Sequence, residues 1–221
     1  GNRGIRCYGI HIMKEKKDVA RIVAISDPDK KRLAVAKQVL CLNDDDIYTD
    51  TEKMLDKKGL DAVIITSPDY THRDIAIAAF ERGLDVLCEK PLALTVDDCD
   101  EILKAQEKSG KILCVGFVLR YNNFYRKMYE IVNVEKKIGR LIMAGGFDSV
   151  STGSQYFFHG WWRLRRNSGG LLVQKATHSI DILNWIIGSR ASRVYGEGGL
   201  AVFGGNEPDD KVCSSCSKRF D

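Results

Sequence analysis

The chain has 221 residues, 44% of them hydrophobic, enough for one large domain or two small ones with a true apolar core. Its 34 basic and 30 acidic residues leave a net charge of +4 with no block of five like charges, which argues against nucleic acid or a membrane surface as partner. The longest apolar runs are strand-sized, so no segment reads as membrane-spanning.

The chain opens on Gly1-Asn2-Arg3-Gly4, followed by a helical pattern from Ile5 to about Lys16. A dinucleotide fingerprint sets G-x-G-x-x-G between a first strand and a first helix, with an acidic residue roughly 20 positions on. Gly1 and Gly4 fit its second and third glycines, and Asp27 fits the acidic residue. Glycines there let the backbone approach a pyrophosphate at a positive helix end. The Asp27 carboxylate would accept from a ribose hydroxyl and repel a 2′-phosphate, favouring NAD; Lys30, Lys31 and Arg32 keep NADP as the alternative. Half a fingerprint has an ordinary glycine turn as its equal competitor. If it is real, the first strand precedes Gly1, the sheet lacks a central strand, and the sequence is a fragment.

Residues 20–26, 61–66, 84–88 and 112–117 are short, nearly continuous apolar runs, as expected of strands buried on both faces of a parallel sheet. The first closes on Asp27-Pro28-Asp29 and the second on Ser67-Pro68-Asp69, both turn signals. Thr71 with Asp74 predicts a helix over 72–82 stopped by Gly83, and Thr95 with Asp98 predicts one over 96–109 stopped by Gly110. Strand and helix alternate, so residues 1–117 read as a doubly wound α/β domain.

Within it, the turn after the third run reads Cys88-Glu89-Lys90-Pro91-Leu92. Glu89 and Lys90 then stand at the carboxyl edge of the sheet, where ligands of open α/β folds bind. A solvated charged turn is the alternative.

From residue 118 the alternation breaks. The pattern predicts a helix over 119–135, a strand over 140–150, a helix over 169–187 and a strand over 192–204, an incomplete α+β region. Residues 159–170, HGWWRLRRNSGG, carry aromatic faces suited to sugar rings and guanidinium groups suited to hydroxyls or carboxylates; Trp162 and Arg163 enter the candidate site. In the helix that follows, Gln174, His178, Asp181 and Trp185 have the spacing of one stripe, and Lys175 lies about 60° round from His178. Histidine has the pKa of a base at neutral pH, and Asp181 could simply hold its imidazole. A satisfied core histidine is the plain alternative.

The scattered Cys7, Cys41, Cys88, Cys99 and Cys114 read as reduced thiols of a cytosolic chain. Cys213 and Cys216 have C-x-x-C spacing, half a zinc site with no second pair, so no metal is assigned.

Three stretches in this order, ITSPDYTHRDIAIAAFERGLDVLCEKPLALT, VGFVLRYNNFY and NSGGLLVQKATHSIDILNWIIG, resemble the glucose-fructose oxidoreductase, inositol dehydrogenase and rhizopine catabolism (Gfo/Idh/MocA) family. The resemblance runs from Gly1 to about Val202. It implies a Rossmann domain over 1–117, a C-terminal α/β domain with a large, mostly antiparallel open sheet over 118–221, and NAD(P)-dependent oxidoreduction of sugars or polyols by a cytoplasmic homodimer or homotetramer. Carried over residue by residue, Arg3, Asp27, Ser67, Pro68, His72, Glu89, Lys90 and Arg120 line the cofactor, beside Gly1, Asn2 and Gly4 of the fingerprint, and Tyr121 and His178 stand at the substrate with Lys90. Trp162, Arg163, Gln174, Lys175 and Asp181, read from composition and spacing, complete the substrate side, and Lys90 and His178 are catalytic. Many members have aspartate where this chain has Gln174, which makes Lys175 a further acid–base candidate. Two other functions stay open: elimination or glycoside cleavage with NAD recycling, and a non-catalytic dinucleotide or sugar sensor.

Overall fold

The computed structural model describes residues 1–149, 157, 160–199 and 214. A π-helical turn, Arg3–Gly9, runs into α1, Ile10–Glu15. Then follow β1 (Ile25–Ser26), α2 (Lys30–Val39), β2 (Ile47–Tyr48), α3 (Thr51–Leu55), β3 (Ala62–Ile65), α4 (His72–Glu81), β4 (Asp85–Cys88), α5 (Val96–Ser109) and β5 (Leu113–Val115). All pairing is parallel, in two pieces: β1 with β2, and β3-β4-β5 in that order. Among the described residues nothing pairs β1 to β3.

Local chemistry accounts for the helix ends. Asp29 caps α2 by accepting from the Lys31 and Arg32 amides, and Thr95 caps α5 by accepting from the Asp98 amide. Gly110 ends α5 at φ 67°, a left-handed conformation that glycine adopts without a Cβ penalty. Thr71 departs from the expected cap: its hydroxyl bonds Ser67 Oγ at 2.6 Å and the Pro68 carbonyl at 2.7 Å, closing the 3₁₀ turn Asp69–Thr71 before α4. The local i−4 and i−3 acceptors win over the helix amides.

The core lies between the β3-β4-β5 sheet and α4 and α5, around Ile65, Ala76, Ala79, Phe80, Val86, Cys88 and Ile102. The expectation that these strands are buried on both faces fails for β3, where Val63 and Ile65 are buried but Ala62 and Ile64 are exposed, and for β5, where Cys114 is exposed. An apolar run states what a strand could bury; the layers actually packed on it decide which face is covered.

Beyond β5 come a 3₁₀ turn (Val118–Tyr121), α6 (Asn123–Tyr129), a π turn (Glu130–Val134), a 3₁₀ turn (Trp161–Arg163), α7 (Arg165–Ser168), a π turn (Leu172–Ala176) and α8 (Thr177–Ile187). The helix expected over 119–135 is thus split, because Asn122 leaves helical geometry and caps α6 by accepting from the Phe124 amide. Gly169 ends α7 at φ 69°, where a Cβ would stand 2.8 Å from Val173. The expected strands over 140–150 and 192–204 do not form within their described parts, 140–149 and 192–199. A strand exists only by pairing, and none of the described residues pairs with them. Cys213 and Cys216 lie outside the described residues.

Candidate active site

The carboxyl ends of β1, β3 and β4 and the turns after them hold Asp27, Ser67, Pro68, Glu89 and Lys90, with His72 just beyond. At β1, Asp27 accepts from the Asp29 amide at 3.0 Å, and its Oδ2 lies 3.2 Å from the Gly1 nitrogen. A Cβ at Gly4 would stand 2.8 Å from Thr66 Oγ1, so this turn can approach the end of β3 only as glycine. Bare backbone at Gly1 and Gly4 beside a carboxylate suits a dinucleotide, with the glycines for the pyrophosphate and Asp27 for a ribose hydroxyl. Arg32 comes within 3.9 Å of Asp27.

Glu89, 7% exposed, is held from the first helical turn: Arg3 Nε donates to its Oε1 at 2.5 Å and the Tyr8 hydroxyl at 2.6 Å. The expectation for Arg3 was cofactor contact; here its guanidinium is engaged by Glu89 and lies over the Tyr8 ring. Burial and Glu89 push the Tyr8 phenol well above its ordinary range. Gly116 makes room for this, because a Cβ there would sit 3.0 Å from Glu89 Oε2 and 3.2 Å from its Cα. Tyr8 carried no motif in the sequence, and nothing local marked it.

His72 is wholly buried. Its Nδ1 lies 2.9 Å from the Pro91 carbonyl and its Nε2 3.0 Å from the Ser67 carbonyl, so it joins the Ser67-Pro68 turn to the Lys90-Pro91 turn, whose peptide is cis. Burial pushes its pKa down, and a neutral ring donates to one of the two carbonyls at a time. His72 thus braces the site from beneath. His72→Ala is expected to cost about 2–5 kcal/mol in urea unfolding, as cavity and lost hydrogen bond combine.

Lys90 is half-buried, and its Nζ donates to the Gln174 carbonyl at 2.5 Å. Burial and the neighbouring Lys175 charge lower its pKa to about 8. His178, half-buried in the first turn of α8, has a lowered pKa from burial and then from the charge of Lys90. Its Nδ1 is buried with no hydrogen-bond partner, and its ring meets Phe117 edge-on at 6.2 Å. Lys90, Lys175, Gln174 and His178 thus lie together, at the meeting of the turn after β4 with the π turn and α8.

Asp181 does not hold the imidazole. Both its oxygens accept from Arg120, from Nε at 2.8 Å and from Nη2 at 2.6 Å. Arg120 also lies over the Phe117 and Trp185 rings, locking the segment after β5 to α8. Trp185 stacks on Tyr129 at 4.5 Å. These residues border a groove of about 730 Å³ that Tyr121, Asn123 and Arg126 share. Trp162 and Arg163 stand in the 3₁₀ turn beside Trp161, whose ring meets Tyr70 edge-on.

Asp69 was read only as part of a turn. The structure buries it, 6% exposed, next to Lys90, Lys175 and Gln174. The signal available in the sequence was its place directly after a buried strand, on the same sheet edge as Lys90.

No helix among the described residues is long and apolar enough to cross a membrane. Residues 6–117 match the family model "Oxidoreductase family, NAD-binding Rossmann fold", and residues 133–214 match "Oxidoreductase family, C-terminal alpha/beta domain". The chain is similar to the 2,7-anhydro-N-acetylneuraminate hydratase of Mediterraneibacter gnavus, 31% identical over 90% of this chain and 51% of that one. Among solved structures, the myo-inositol 2-dehydrogenase of Lactobacillus plantarum is 31% identical, with a TM-score of 0.64 over 76% of this chain and 49% of that one. The WlbA dehydrogenase of Chromobacterium violaceum, solved with NADH and UDP-GlcNAcA, is 26% identical, with a TM-score of 0.70 over 83% of this chain and 52% of that one. The chain spans about half the length of the curated relatives it matches. With both of its domain models matched in order, on a fold whose glycine turn and acidic strand end suit a dinucleotide, the chain belongs to the Gfo/Idh/MocA oxidoreductase family, and its N-terminal part is an NAD-binding Rossmann domain.

Proposed function

We propose that the protein is an NAD-dependent oxidoreductase that moves a hydride between the nicotinamide and a hydroxyl-bearing carbon of a sugar, polyol or related carbohydrate, with residues 1–117 binding the nucleotide and residues 118–221 contributing to the substrate side. The observation that carries this reading is the juxtaposition of Lys90 with His178, whose buried Nδ1 has no hydrogen-bond partner, at the carboxyl edge of the sheet. NAD supplies the hydride acceptor or donor. Gly1, Asn2 and Gly4 would approach its pyrophosphate, and Asp27 its ribose.

The chemistry left to the chain is proton and charge handling. When a hydroxyl carbon gives up hydride, the hydroxyl must give up its proton as a carbonyl forms. His178 is kept neutral by burial and by the Lys90 charge, so it can take that proton. With a pKa near 8, Lys90 is mostly an ammonium at pH 7 and can stabilise negative charge growing on the same oxygen. In the reductive direction the two roles reverse. In the groove beside Arg120, the exposed Tyr121 ring offers a face on which a sugar ring can stack.

The hydratase relative favours a second reading, in which hydride leaves one carbon, a neighbouring group is eliminated or added, and the hydride returns. Incubation with NAD and a panel of polyols, sugars and acidic sugars, with absorbance at 340 nm read beside product analysis, separates the two. Accumulating NADH supports net oxidation, product without NADH supports recycling, and neither with any compound contradicts both.

Asp27→Ala is expected to weaken NADH binding by about 10–100-fold, the scale of a hydrogen bond to a charged group, and to narrow the preference for NADH over NADPH. Titration by nicotinamide fluorescence reads both.

A further inference from the structure

Asp69 opens the 3₁₀ turn after β3. The residue is 6% exposed, and its Oδ2 is buried without a hydrogen-bond partner. A buried carboxylate left in that state is costly unless nearby charges offset it. Two offset part of that cost: Lys90, from the turn after β4, and Lys175, from the π turn before α8. The two lysines repel one another, and the Lys175 charge helps lower Lys90 while the Asp69 charge opposes that fall. The Gln174 side-chain amide also faces Asp69, and its Oε1 is buried without a partner. The other groups facing this carboxyl are the Cys88 thiol on β4 and, across a pocket of about 220 Å³, Arg73 and Asp74 on α4 and Asp98 on α5. Arg73 is itself paired with Asp74 and Glu101, so the lysines remain the cations available to Asp69.

We propose that Asp69 is a positioning residue of the hydride-transfer site: its carboxylate offsets the repulsion between Lys90 and Lys175 and turns the Gln174 amide so that Oε1 is left for a substrate hydroxyl. This rests on the oxidoreductase reading above. Gln174 brings no charge of its own; Asp69 is the buried carboxylate that acts on both lysines, whereas Glu89, which also acts on Lys90, is engaged by Arg3 and Tyr8.

The test separates this role from a merely structural one by sign. Burial raises the Asp69 pKa from 3.8 to about 6. A carboxyl whose folded-state pKa lies above its unfolded value binds more protons folded than unfolded, so its contribution to stability falls as pH rises from about 4 to about 6 and stays low at neutral pH. Asp69→Asn therefore leaves the melting temperature at pH 7.5 equal to or above that of the parent. It lowers kcat by about 10–100-fold, the loss of a buried charge-assisted contact, and changes KM little. Because Asp69 holds the Lys90 pKa up, the alkaline fall in activity moves to lower pH in the variant. Adding Gln174→Glu, which returns a carboxylate across the same contact, moves it back.

A lower melting temperature with an unmoved alkaline limb would overturn the proposal. Should the parent transfer no hydride to any compound, the functional reading fails on its own. The ¹³C titration of the Asp69 carboxyl still decides the inference: removing either lysine as methionine must raise its midpoint, and an unmoved midpoint overturns it.

Discussion

Lys90→Met is expected to reduce kcat by about 10²–10³-fold, the scale seen when one preorganised donor to a developing oxyanion is removed. The side chain is placed by its bond to the Gln174 carbonyl at 2.5 Å, and its charge faces Lys175, Asp69 and Glu89. Its pKa of about 8 makes activity fall as pH rises through that value, since the neutral amine no longer offers a full positive charge. The substitution should not unfold the protein. A lysine whose folded-state pKa lies below its unfolded value of 10.5 binds fewer protons folded than unfolded between about 8 and 10.5. Its charge is a stability cost at neutral pH that methionine removes. Steady-state rates across pH 6–10, with thermal melts beside them, check both halves. An active variant, or a lost fold in place of lost chemistry, would contradict the assignment.

His178→Asn is expected to lower kcat by about 10²–10⁴-fold in the oxidative direction, the range for removing a general base. Burial and Lys90 hold its pKa below 6.5, so the neutral, proton-accepting form persists below that pH and activity falls only as the ring finally protonates. The variant should lack this acid limb. NADH affinity should change little, because Gly1, Asn2 and Gly4, assigned to the pyrophosphate, and Asp27, assigned to the ribose, lie at the first helical turn and just after β1. A retained acid limb would assign the proton acceptor elsewhere, with Lys175 the next candidate.

The sequence made the parallel α/β alternation legible because each β-α unit carries its own punctuation, such as Thr95 at the start and Gly110 at the end of α5. It marked Lys90 and His178 through local motifs. What escaped it depends on contacts distant in the chain. Nothing near Tyr8 announces that its hydroxyl reaches Glu89, 81 residues away. Asp181 is three residues from His178 yet goes to Arg120, because a bidentate guanidinium outcompetes a neutral imidazole for a carboxylate. Asp69 looked like turn chemistry because a Ser-Pro-Asp turn explains it without reference to the lysines that fold against it. The π turn at Leu172–Ala176 likewise breaks the ideal stripe on which Gln174, His178 and Asp181 were aligned.

The most direct test of the shared site needs no substrate. The ¹⁵N titration of His178, followed by NMR in the parent and in Lys90→Met, reads whether the lysine charge reaches the imidazole. The account predicts a midpoint below 6.5 in the parent that moves up when Lys90 is removed. A midpoint that stays where it was would mean that Lys90 and His178 do not act on one substrate oxygen, and the hydride-transfer assignment would fall with it.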